Sequence, residues 1–80
     1  MPANHAKRYD QARLLETVIQ LKQNHAKQIT AQAIEHARAA IETNDAEHAR
    51  KATALRDDAT WWAKSIERNR RELAELHGEL

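Results

Sequence analysis

His36 and His48 are the residues of this chain whose type and placement come nearest to chemistry. Imidazole nitrogens bind transition metals and move protons, and Glu35, Asp45 and Glu47 lie close by in sequence. A metal centre built on helices normally starts from two ligands on one face, as in His-x-x-x-His or Glu-x-x-His. No stretch of this chain carries either pair. The expectation is no metal and no cofactor, with His36 and His48 as partly buried polar residues whose protonation makes stability sensitive to pH. Nucleophilic catalysis is equally poorly provided for. There is no cysteine, Ser65 is the sole serine, and no Gly-rich phosphate loop is present. The carboxylates are interleaved with basic residues at helical spacing, as on solvated faces. These features predict that the chain is not an enzyme.

One stripe has binding character. Trp61, Lys64, Arg68 and Arg71 are spaced by three, four and three residues, so a helix would present them on one outward face. An aromatic ring with three cations suits an acidic protein patch, and it also suits stacked bases and phosphates. Arg70 adds positive charge locally, and Lys7, Arg8 and Arg13 come from the other end of the chain. Asp10, Glu16, Glu67, Glu72, Glu75 and Glu79 dilute that field. The formal net charge is only +1, although 31% of the residues are charged, so the whole molecule offers no argument for nucleic acid or an anionic membrane.

The elements that would position these residues are helices. The single Gly and single Pro stand at the ends, Gly78 and Pro2, and good helix formers dominate what lies between. From Asp45 onward, His48, Ala52, Leu55, Ala59, Trp62, Ile66, Asn69, Leu73, Leu76 and Leu80 recur at alternating fours and threes. That is the seam of a helix lying along another helix. The first half repeats the pattern with Ala12, Leu15, Ile19, Lys22, Ala26, Ile29, Ala33, His36 and Ala40. The two seams are out of phase. Carried forward from Ala40 the first would reach Glu47, whereas the second starts at Asp45. A slip of that size is neither a stutter nor a stammer, so the chain is expected to turn rather than run on as one rod.

The expected architecture is all-α: residues 1–4 a disordered lead, then one helical-hairpin domain over 5–80. Its helices span about 5–42 and 46–77, joined by a turn at 43–45. Thr43, Asn44 and Asp45 favour caps over helix interiors, Asn44 with Glu47 outlines a capping box, and Gly78 offers a C-terminal stop. In an antiparallel fold with paired numbers summing to 88, Ala26 faces Trp62, Ile29 faces Ala59, Ala33 faces Leu55 and Leu15 faces Leu73, and large residues meet small ones. Asn69 and Lys22 are inward polar residues. Asn69 is placed to fix register, and Lys22 is expected to send its ammonium out to water.

Apolar side chains remain beside the seam: Leu14, Val18 and Leu21 in one row, Ile34 and Ile41 in another. A chain this short struggles to bury a self-sufficient core, and these rows predict self-association into a dimeric four-helix bundle. The layout resembles the Rop-type plasmid-encoded helical hairpins in length class, topology and heptad arrangement, though no residue motif carries over. That resemblance implies binding to paired RNA loops.

Three functional expectations follow. The first is a non-enzymatic interaction or regulatory protein that binds a larger protein through the hairpin dimer, in the manner of phage- or plasmid-type inhibitors and adaptors. The alternative is a Rop-like nucleic-acid binder using the Trp61, Lys64, Arg68 and Arg71 stripe, and the third is a structural assembly element. Absence of cysteine suits a reducing cytoplasm. No apolar run approaches the roughly 20 residues that cross a bilayer, so no membrane partner is expected.

Overall fold

A computed structural model describes residues 2–79, with side chains over 7–78. Two helices pack side by side, α1 over Pro2–Thr43 and α2 over Ala46–Glu79. They form an antiparallel hairpin measuring 63 × 14 × 12 Å. The long dimension is that of α1 itself, since 42 residues rising about 1.5 Å each give about 63 Å. Among the described residues there is no strand, and no helix is long and apolar enough to cross a membrane.

The seam is where the spacing puts it. None of its described members is exposed, and Ala12, Ile19, Ile29 and Ile66 are buried; Leu80 lies outside the described residues. Alanines at many seam levels let the backbones approach closely, and Ile29 and Ile66 fill the layers between. Exposed threonines fold their hydroxyls back onto the preceding turn, as Thr53 does to the Ala49 carbonyl (3.1 Å) and Thr60 to that of Arg56 (3.0 Å).

The reversal takes two residues. Asn44 adopts a left-handed conformation, φ 55°, which asparagine tolerates better than most side chains. It therefore ends α1 and does not open the second helix, in contrast to the capping box expected of Asn44 and Glu47. The cap of α2 is Asp45, whose Oδ1 accepts from the Glu47 N–H at 2.9 Å, while its carbonyl accepts from the Ala49 N–H at 3.3 Å.

Two further boundaries differ from expectation. α1 already begins at Pro2, because proline lacks only an N–H that the first turn leaves unbonded anyway. Of the lead expected over 1–4, Met1 lies outside the described residues. Gly78 does not stop α2, which continues to Glu79. Its φ is not positive, so nothing there exploits the freedom of a missing side chain.

Candidate functional site

Four groups of side chains are brought together. The first is a polar clasp at mid-seam. Lys22 lies level with Ile66, and its ammonium donates to Ser65 Oγ at 2.8 Å and to Asn69 Oδ1 at 2.6 Å. Lys22 thus turns inward and does not reach out to water as expected, because two acceptors from α2 lie within the span of its stem. Ser65 is only 5% exposed, and no buried side-chain polar atom among the described residues lacks a partner. Asn69, expected to fix register, stands in the seam as the acceptor of a cross-helix cation. Ser65 was the missed member. It stands beside the seam and has chemical meaning only once Lys22 is placed opposite.

Next to the clasp sits an aromatic cluster. Trp62 is half-buried in the seam, with His25 edge-on to it at 4.9 Å between ring centroids and 80° between planes. Trp61 meets Trp62 at 4.9 Å and 89°. Edge-to-face rings of this kind gain from the quadrupoles of their π-systems. The second indole cannot follow the first into the seam, so Trp61 remains 54% exposed.

Trp61, Lys64, Arg68 and Arg71 line one shallow depression along α2, as their spacing requires. Glu67 lies among them and pairs with Arg71 at 2.9 Å, so part of the positive charge is answered within the helix. Such exposed pairs are weak, up to about 1 kcal/mol. Arg13, from the opposite helix, stands over the Tyr9 ring at 6.0 Å.

The five apolar residues beside the seam are all exposed, Leu14 at 66%, Leu21 at 63% and Ile41 at 83%. Their heptad positions place them on two flanks. Leu14, Val18 and Leu21 fall on one side of the α1 seam, Ile34 and Ile41 on the other. In an antiparallel pair the flank of Leu14 is shared with Ser65, Trp61 and Arg68 of α2. Leu14 accordingly lines a depression with Glu72 and Glu75. Ile34 and Ile41 line a separate groove near the turn with Ala49, Ala52 and Thr53. Trp61 and Arg68 therefore stand at the border between the Leu14 flank and the outward face of α2.

Finally, His36 and His48 meet near the turn, Nδ1 to Nδ1 at 2.9 Å. In the 88 register they stand one turn apart, roughly 6 Å along the axis, a gap that two imidazoles bridge. Among the described residues no group of three or more His, Asp or Glu is arranged to hold a metal ion.

The class these features define is an all-α antiparallel helical hairpin with a polar clasp at mid-seam and apolar rows left outside it. No known protein family, characterised protein or solved structure matches the chain, and the Rop-type resemblance stands on length class, topology and heptad arrangement alone.

Proposed function

We propose that the chain is a non-enzymatic interaction protein. Two copies pair along the Leu14, Val18 and Leu21 flank into a four-helix bundle. The α2 face of Trp61, Lys64, Arg68 and Arg71 then docks on an acidic surface of a larger protein, as small phage- or plasmid-type regulators and inhibitors do.

The observation that carries the first half is area. The hairpin exposes 6137 Å², whereas a compact monomer of 9.2 kDa exposes about 4,900 Å². The surplus, about 1,200 Å², exceeds the roughly 800 Å² that each partner commonly gives to a stable interface. Leu14 and Leu21 are exposed on that flank, and each side chain taken fully out of water contributes about 1.5–3 kcal/mol. A two-fold contact suits the arrangement, because one self-complementary flank serves both copies.

The second half rests on the composition of the α2 face. Trp and Arg are the side chains that most often anchor protein interfaces, and here they stand exposed at the rim of the paired flank. Cross-linking in the native host followed by mass spectrometry tests it with two chains, wild type and Arg68→Glu. An acidic partner captured by the wild type and lost by Arg68→Glu, with helicity intact by circular dichroism, supports the reading. Equal capture by both chains overturns it.

The clustering of Trp61 with Lys64 and Arg68 also favours a second reading, stacking and phosphate contacts on RNA, while Glu67 opposes it. Such binding has to weaken steeply with salt because phosphate contacts release counterions. A flat salt response ends that reading.

A further inference from the structure

We propose that the groove beside the turn, on the flank opposite Leu14, receives one amphipathic helix of a partner protein, apolar along one face and carrying carboxylates toward one end. This goes beyond the Trp61 face, which belongs to the other flank. The groove holds about 550 Å³, and Ile34 and Ile41 line it, 48% and 83% exposed. The hairpin does not close this half by itself. Ala12, Ile19, Ile29 and Ile66 are buried, and all lie away from the turn. From residue 30 through the turn to residue 64 nothing is buried. The seam members Ala33, Ala40 and Ala52 are only half-covered there, and they too line the groove.

Shape selects a helix. Two antiparallel helices leave a furrow in which a third can lie at about 8–10 Å from each axis, and alanines on the floor permit that approach. The stretch from Thr30 to Ile41 rises roughly 17 Å along α1, about three helical turns. An occupant of that length presents its anchors at i, i+3 or i+4, and i+7.

Charge selects the chemistry of that helix. Arg56 lines the groove, and Lys27 lines the depression that continues it away from the turn past Thr30 and Ile34. No carboxylate lines either one, whereas Glu72 and Glu75 line the depression of Leu14 on the other flank. Asp57 reaches Arg56 at 3.8 Å, but both side chains are largely exposed, so the pair holds the guanidinium weakly. In the 88 register both cations stand farther from the turn than Ile34. The occupant therefore carries its acidic residues at the end away from the turn and its apolar ones toward Ile41. A second copy does not fit this description. Placed there by a two-fold axis, it would bring Arg56 against its own mate near the middle of the groove, like charge on like charge.

The test offers the immobilised full chain a display library of helical peptides, with apolar residues fixed at spacings of three and four and the polar positions randomised. Enriched peptides are expected to carry Asp or Glu clustered at one end. Ala37 is exposed and lines the groove, so Ala37→Glu keeps the helicity and should weaken their binding at least about tenfold. Arg56→Glu should weaken it about fivefold. Leu14→Glu with Leu21→Glu should bind the peptides as wild type does, and Ala37→Glu should sediment at the wild-type mass, so pairing on the other flank and filling of the groove are read separately. No enrichment, enrichment without acidic bias, undiminished binding by Ala37→Glu, or binding lost in the Leu14→Glu, Leu21→Glu chain overturns the proposal. A lower sedimentation mass for Ala37→Glu would give the groove to a second copy and overturn it equally.

Discussion

Replacing Lys22 by Met keeps the length of the stem and removes the ammonium from the middle of the seam. Two hydrogen bonds from a charged donor are lost, to Ser65 Oγ at 2.8 Å and Asn69 Oδ1 at 2.6 Å. A hydrogen bond to a charged group contributes about 1.5–3 kcal/mol. Lys22 is half-buried, and water reaches part of the vacated site, so about 2 kcal/mol is expected for the pair rather than twice the single value. For a domain of this size that lowers the thermal midpoint by roughly 8–16 °C. Protein concentration must be held constant, since association shifts the midpoint by mass action. The triple replacement Lys22→Leu, Ser65→Ala, Asn69→Leu removes every polar member at once and leaves none stranded. It is expected to recover the lost stability or exceed it. What the triple variant should lose is uniqueness, seen as doubled or broadened amide resonances as the seams slide. A Lys22→Met midpoint within 2 °C of wild type, or a triple variant less stable than Lys22→Met, would refute this account of the clasp.

Two further outcomes follow from burial and backbone geometry. At the turn, Asn44→Val forces a β-branched residue to φ 55° and should cost about 1–2 kcal/mol by urea denaturation, while Asp45→Ala removes the α2 cap for about 1 kcal/mol. Equal tolerance of Val at Asn44 and at exposed Gln28 would contradict the turn. In the seam, Ile66→Ala should cost about 2–5 kcal/mol, whereas Ile41→Ala, 83% exposed, should change the urea midpoint hardly at all; comparable losses at the two sites would contradict the assignment of the core.

The seam was legible because its signal is local. Apolar spacing of four and three residues identifies the inward face of each helix before any partner is known, and Ile29, Ile66 and Trp62 sit where that spacing puts them. The reversal was legible from the phase break between Ala40 and Asp45. Which of Asn44 and Asp45 caps the second helix was not, because both side chains accept from a free N–H and only the left-handed φ of Asn44 separates them. Gly78 misled for the opposite reason: glycine permits a helix stop but does not compel one. The clasp and the histidine pair needed the fold, since Lys22 meets Ser65 and His36 meets His48 only after the chain doubles back. The split of Leu14 and Ile41 onto two flanks likewise has meaning only against the direction of the second helix. Trp61, Lys64, Arg68 and Arg71 were legible as a stripe, yet the Glu67–Arg71 pair that tempers its charge is a matter of rotamer.

Solution mass tests the central claim, that the flank of Leu14, Val18 and Leu21 is covered by a second copy. Sedimentation equilibrium at micromolar protein should return twice the chain mass of 9.2 kDa, and Leu14→Glu with Leu21→Glu should return the single mass with its helicity retained. A wild-type chain that stays at 9.2 kDa across the whole concentration range would contradict it.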